Sequence, residues 1–154
     1  MSSFTYSFLS IVAAIADPNG TFSIGSGAGA SDEGITVTMA DDKASLVVGA
    51  DGQGMHSLHA AKNGTVTVRL LKTSPTNALL QDLYAACTSS PANYGASTIT
   101  IRDPYRGDVI TCQGCGFRKF PDISYGKDGA MQEWTWNAVQ IDQVLGTGTP
   151  TAVF

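Results

Sequence analysis

Residues 63–87 read NGTVTVRLLKTSPTNALLQDLYAAC, and the change of period within them decides the fold. From Thr65 to Lys72 the pattern alternates, with Val66, Val68 and Leu70 on one face, as in a half-buried strand. Asn63-Gly64 ahead of it is the preferred dipeptide of a tight hairpin turn. The period then shifts. Ser74 is a good helix N-cap, and Pro75 suits the first helical position. Leu79, Leu80, Leu83, Tyr84 and Cys87 recur at spacings of three and four, an amphipathic stripe. Ser89-Ser90-Pro91 ends it, so one helix is expected at about 74–87.

Outward from this stretch the strand signal dominates. Thr5 to Phe8 alternates polar and aromatic, and Asp17-Pro18-Asn19-Gly20 is a turn before a short strand, Thr21 to Ile24. Residues 25–34, GSGAGASDEG, read as a glycine-rich loop. Ile35, Val37 and Met39 alternate with Thr36 and Thr38. Leu46 to Val48 is a short apolar run, and Met55 to His59 an extended or turn-rich piece. After the helix, Thr98 to Ile101 and Val109 to Cys112 flank a turn at Asp103–Asp108, and Phe117 to Ile123 continues the pattern. Met131 to Ile141 reads as one long strand with Trp134 and Trp136 on one face. The fold class is therefore mainly β: a two-sheet sandwich or barrel with one flanking α-helix. Residues 1–146 are expected to form a single domain, with 147–154 as a flexible C-terminal tail.

Composition narrows the function. The 154 residues suit one domain and one core. Charged residues are only 14%, against about 25% in an average soluble protein. So sparse a charge suits a surface rich in uncharged polar groups, or one buried against other subunits. The net charge of −4 argues against a grip on nucleic-acid phosphates. Charge is also unevenly spread: residues 1–61 hold six acids and one base, whereas 62–154 hold seven acids and eight bases. Such asymmetry suits head-to-tail association of acidic and basic faces, or an acidic lining. The longest apolar stretch, Phe8 to Ala16, is broken by Ser10 and falls short of the roughly 20 residues that span a bilayer. No Lys or Arg precedes Lys43, so a secretory n-region is missing, and no membrane insertion is expected. Three cysteines, an odd number, do not suggest a disulfide scaffold.

Candidate chemistry is thin. Cys112-Gln113-Gly114-Cys115 and His56-Ser57-Leu58-His59 together could supply four zinc ligands, which makes a metal-dependent enzyme one alternative. The histidine spacing is one short of the common pattern, and the C-x-x-C lies in a β run rather than opening a helix. A bulged strand with two incidental thiols is the simpler reading. Gly25-Ser26-Gly27-Ala28-Gly29 hints at a phosphate loop, but G-x-G-x-x-G fails at Ala30 and no helix follows. Arg106-Gly107-Asp108, an adhesion-like tripeptide, is better explained as a turn. No catalytic residue and no cofactor is expected. A small monomeric β-sandwich that binds a ligand is a second alternative. Elimination favours a structural, self-associating β protein.

Three stretches carry a resemblance. GITVTMADDKASLVVGADGQGMHSLHAAKNGTVTVRLLKTSPTNALL from Gly34, STITIRDPYRGDVITCQGCGFRKFPDISYGKDGAMQEWTWNAVQIDQVLG from Ser97, and the opening SFTYSFLSIVAAIADPNGTFSIGSGAG resemble bacteriophage tail-tube proteins of the contractile-tailed type. The likeness covers about residues 2–146 and departs from the family in the pair Cys112 and Cys115. It implies a β-sandwich subunit that forms hexameric rings, stacked into a hollow tube, and one sheet per subunit joins a continuous barrel. It also implies tail sheath, baseplate and tape-measure proteins as partners. The phage DNA passes through the lumen without specific binding. The protein is implied to be a virion component made in the host bacterial cytoplasm, and the same fold serves contractile bacteriocins and secretion tubes. Within that role, Asp32, Glu33, Asp41 and Asp42 are candidate inter-ring contacts to Arg102, Arg106, Arg118 or Lys119 of the next ring.

Overall fold

The computed structural model describes residues 2–25, 30–148 and 151–153, with side chains over 3–25 and 34–148. Twelve strands occur among them: β1 (Ser2–Phe4), β2 (Val12–Asp17), β3 (Gly20–Ser23), β4 (Ala30–Met39), β5 (Ala44–Val48), β6 (Gly54–Leu58), β7 (Gly64–Leu70), β8 (Ser97–Asp103), β9 (Asp108–Lys119), β10 (Gln132–Ala138), β11 (Gln140–Val144) and β12 (Thr151–Val153). The helix α1 spans Thr76–Cys87. The main sheet runs β3-β2-β8-β9-β10-β7-β4, with β11 also paired to β9. Every pairing within it is antiparallel.

The sheet makes two layers because β9 is long enough to serve both. Residues 108–115 of β9 pair with β8, and residues 116–119 pair with β10. Between them lies the C-x-x-C, where Gly114 has φ 65° and the register with β8 shifts. Only glycine adopts that φ without strain, and the resulting bulge turns the strand from one layer into the other. The result is sandwich-like and not a closed barrel, because β3 and β4 are left as open edges.

The core lies between the layers. Val66, Val68 and Leu70 of β7, Ile99 of β8, Trp136 of β10 and both Cys112 and Cys115 of β9 are wholly buried. Trp134 joins them, and its indole N–H donates to Asn77 Oδ1 of α1 at 3.0 Å. Helix α1 closes the sandwich through Thr76, Leu80, Leu83 and Cys87. That stripe differs from the sequence expectation at Leu79, which is 49% exposed. Positions 76, 80, 83 and 87 make one complete face, and 79 stands to its side. The helix starts at Thr76 with Pro75, not Ser74, at the N-cap position, although Ser74 Oγ still accepts the Thr76 N–H at 3.3 Å.

Several sequence expectations change. Asn63-Gly64 does not close a hairpin: Gly64 belongs to β7, where it pairs with both Met39 and Ala138. A side chain there would run into the Thr38 carbonyl and come within 2.6 Å of Ile141 Cδ1, so the glycine serves close approach rather than a turn. The N-terminal strand is Ser2–Phe4, while Phe8–Ser10 forms a single 3₁₀ turn. The glycine-rich loop is shorter than expected, since β4 already starts at Ala30; residues 26–29 lie outside the described residues. Of the two alternatives for Met55 to His59, the extended one holds for Met55–Leu58, which belong to β6 (Gly54–Leu58). The long strand from Met131 divides at Val139 into β10 and β11. The strand from Phe117 stops at Lys119. Within the expected loose tail, Thr151–Val153 forms β12 and pairs with β1.

Candidate functional site

The strongest feature on the surface is the hairpin β5–β6. All five residues of β5 and four of the five in β6 are exposed. Among the described residues the two strands pair only with each other. Leu46, Val47, Val48, Met55 and Leu58 are between 55% and 79% exposed. Isolated two-stranded hairpins are marginal in water, and contiguous exposed apolar surface of this kind marks an interaction site. Its base is closed by the His59 N–H donating to the Lys43 carbonyl at 2.8 Å, and its tip by the Gly49 N–H donating to the Gln53 carbonyl at 2.8 Å.

The charged candidates divide between two surfaces. Asp41 and Asp42 are exposed at the foot of the hairpin, in a shallow depression shared with Ala44, Ser45, His59 and Ala61. Asp32 and Glu33 lie on the β4 backbone, and their side chains fall outside the described residues. Arg102 is the penultimate residue of β8, and Arg106 sits in the β8–β9 turn. Both line an open groove of about 610 Å³ with Tyr6, Phe8, Ile35 and Val37. Arg106 is already engaged, its Nε 3.3 Å from Asp108 Oδ1. Arg118 and Lys119 are exposed at the end of β9, with Lys119 Nζ 3.9 Å from Asp122. Among the described side chains, Asp41 and Asp42 are not paired with Arg106 or Lys119 within the subunit; the acids beside those two are Asp108 and Asp122.

The metal reading finds no support in the placement of its residues. His56 and His59 are exposed on and beside the hairpin, whereas Cys112 and Cys115 are buried in β9. Burial pushes the Cys112 thiol up to about 11 and the Cys115 thiol up to about 12, which disfavours the thiolate a metal needs. Among the described residues, no group of three or more His, Cys, Asp or Glu side chains is placed to hold a metal ion. No helix among them is long and apolar enough to cross a membrane.

Sequence reasoning missed a buried polar cluster at the β2–β3 turn. The Asp17 carboxylate, 8% exposed, accepts Ser97 Oγ at 2.6 Å, Cys87 Sγ at 3.4 Å and the Asn19 backbone N–H at 2.9 Å. Burial acts to raise its pKa, but the hydrogen bonds from Ser97, Asn19 and Cys87 outweigh it and hold the carboxyl below its ordinary value. Burial, with the Asp17 charge beside it, pushes the Cys87 thiol up to about 11. The cluster ties α1, β2, β3 and β8 together. It is structural: the carboxylate faces inward and reaches no groove.

Comparison with known proteins gives one family. The family model described as bacteriophage PhiTE tail tube protein matches residues 2–146. No curated protein sequence matches. Among solved structures, the sheath/tube terminator of the PVC extracellular contractile injection system is similar at TM-score 0.59 and 11% identity, covering 92% of this chain and 98% of that one. The PVC sheath-tube complex gives TM-score 0.56 at 12% identity, with 92% of each chain covered. The anti-feeding prophage baseplate gives 0.59 at 12%, covering 94% and 97%. At these identities the structural likenesses concern the fold alone.

Proposed function

The chain belongs to the bacteriophage PhiTE tail tube protein family, and from that premise we propose that this structural tube subunit closes into hexameric rings, which stack into a hollow conduit for the phage genome. The observation that carries the reading is the hairpin β5–β6, an apolar arm that stays exposed among the described residues of its own subunit. A neighbouring copy supplies that cover. The open edges β3 and β4 supply the second kind of contact, since ring closure pairs edges that would otherwise invite aggregation.

Stacking of rings is assigned to the charged candidates. Asp32, Glu33, Asp41 and Asp42 of one ring meet Arg102, Arg106, Arg118 and Lys119 of the next. Each exposed pair is worth only about 0–1 kcal/mol, but a ring repeats it around its circumference. Residues 1–146 act as one tube-forming domain, and within the tail Thr151–Val153 pairs with β1. The work of the subunit is mechanical, not catalytic. Its further partners are sheath, baseplate and tape-measure proteins, in keeping with the sheath-tube and baseplate assemblies named for its structural neighbours. It is made in the host bacterial cytoplasm and ends in the virion.

The test is assembly of the purified chain, followed by negative-stain microscopy and light scattering. The parent is expected to form rings or tubes. A Leu46→Asp/Val48→Asp variant is expected to stay folded, because both side chains are solvent-exposed, yet to stay small. Parental tubes from that variant would remove the hairpin from the interface.

A further inference from the structure

The chain holds two Asn-Gly dipeptides, and both continue into threonine: Asn19-Gly20-Thr21 and Asn63-Gly64-Thr65. Their local sequence is alike, so only the fold tells them apart. Glycine after asparagine matters chemically because no side chain shields its amide nitrogen. That nitrogen can close a five-membered ring on the asparagine Cγ.

At the second dipeptide the ring cannot close without opening the sheet. Gly64 is buried and paired with Met39 of β4 on one side and Ala138 of β10 on the other. The Asn63 carbonyl accepts the Ala40 N–H at 3.1 Å. Turning the Gly64 nitrogen toward the Asn63 side chain pulls on both neighbouring strands, which is a costly opening.

The first dipeptide has the opposite surroundings. Pro18 and Asn19 form the exposed tip of the β2–β3 hairpin, and β3 is a short strand at the edge of the main sheet. A side chain at Gly20 would meet nothing within 4 Å, so the turn is open on that side. What holds Asn19 is a single oxygen. Its backbone N–H and its Nδ2 both donate to Asp17 Oδ1, at 2.9 and 3.0 Å. Fraying of such a turn is a local event that leaves the rest of the sheet in place.

We propose that Asn19 is a site of spontaneous modification, converted to aspartate and isoaspartate by the amide of Gly20, while Asn63 is protected by the sheet. Hydroxide takes the Gly20 amide proton, and the nitrogen bonds to Asn19 Cγ. The Cγ–Nδ2 bond then breaks, and Nδ2 leaves as ammonia with a proton from water. Water opens the cyclic imide at either carbonyl, so the sum is one water consumed and one ammonia released. The consequence runs through Asp17. The product lacks the Nδ2 donor and sets a second carboxylate beside Asp17, and like charges so close resist ionising together. The isoaspartate form also lengthens the backbone of a two-residue turn and so disturbs the register of β2 with β3. Asp17 also accepts from Ser97 of β8 and Cys87 of α1, so the damage reaches the helix.

The test ages the unassembled full-length chain in warm, mildly alkaline buffer, folded and in urea. Mass spectrometry quantifies the peptides that carry position 19 and position 63, and isoaspartyl methyltransferase counts isoaspartate. In urea both sites are expected to convert. In the folded chain the ratio of conversion at Asn19 to that at Asn63 is expected to exceed the urea ratio by at least about tenfold, because the edge turn opens more easily than the inner strand. Gly20→Ala, whose side chain has room, is expected to suppress conversion at position 19 and leave position 63 unchanged. The comparison within the parent chain stands whether or not that variant folds. A folded ratio no larger than the urea ratio, or an Asn19 that stays intact in the folded chain, overturns the assignment. Asn19→Asp is expected to lower the urea midpoint of the fresh chain; a midpoint equal to the parent's overturns the link through Asp17.

Discussion

Replacing Ser97 by Ala is the sharpest test of how the helix and the edge hairpin are held to the sheet. Ser97 is 2% exposed, and its hydroxyl makes the shortest bond to the Asp17 carboxylate, 2.6 Å. A hydrogen bond to a charged group contributes about 1.5–3 kcal/mol net. Little volume is lost, so the cavity adds little. The expected loss is therefore about 1.5–3 kcal/mol, or about 3–12 °C in Tm for a chain of this size. The assay is urea unfolding of dissociated subunits, since assembly would add its own stabilisation. A pH series adds a second readout. Asp17 has its folded pKa held below the ordinary 3.8, so its contribution is fully present above that value and is lost as pH falls through the folded pKa. In Ser97→Ala burial stays while the best donor goes, so the folded pKa rises toward the unfolded value, and the acid-side loss of stability becomes smaller and is complete at a higher pH. Asp17→Asn should flatten that part of the acid limb. A Ser97→Ala loss under about 0.5 kcal/mol, below the range for a charged hydrogen bond, refutes the reasoning, as does an acid limb unchanged in Asp17→Asn.

Leu83→Ala, at a position 3% exposed, should cost about 2–5 kcal/mol, whereas Leu79→Ala, half exposed, should cost far less; equal losses in chemical denaturation would mean that α1 packs on a different face. Gly64→Ala should fail to give soluble, folded protein, because its side chain meets Ile141 and the Thr38 carbonyl; normal expression with native circular dichroism would contradict the packing around β7. Thiol titration at about pH 8 should find Cys112 and Cys115 unreactive until urea unfolds the chain, as their raised pKa values and burial require. Tube length should fall with added salt while ring formation persists, because exposed ion pairs are screened over about 8 Å at physiological ionic strength whereas ring closure relies on strand pairing and apolar contact.

How much of this was legible depends on how each strand is buried. β7 and β8 alternate strictly between buried and partly exposed positions, and both were readable because one face of each meets the core. β4 was readable only from Ile35, where alternation starts; its first residues, Ala30 to Gly34, carry turn-like composition and are strand by position in the sheet. Asn63-Gly64 misled for a related reason. The dipeptide reports local turn preference, while Gly64 is selected by two neighbours, Thr38 and Ile141, that are distant in sequence. The Asp17 cluster was hidden in the same way. Asp17 reads as a turn residue, which it is, and nothing in the spacing connects it to Cys87 and Ser97, 70 and 80 residues on.

The hairpin β5–β6 is the instructive failure. Leu46 to Val48 reads as a short apolar run, and Met55 to His59 reads as either extended or turn-rich. The structure explains why: neither face of the hairpin is buried in its own subunit, so no inside–outside alternation is imposed on it. A segment that is apolar, extended and aperiodic carries the burial pattern of a contact the single chain does not make. The threonines of β4, β7 and β10 carry the complementary lesson. In the sequence they are merely the polar partners of core valines, yet they stand side by side on three strands, Thr36 and Thr38 beside Thr67 and Thr65 and these beside Thr135 and Asn137. The hairpin becomes intelligible only when the subunit has neighbours, because it needs a second copy to cover it.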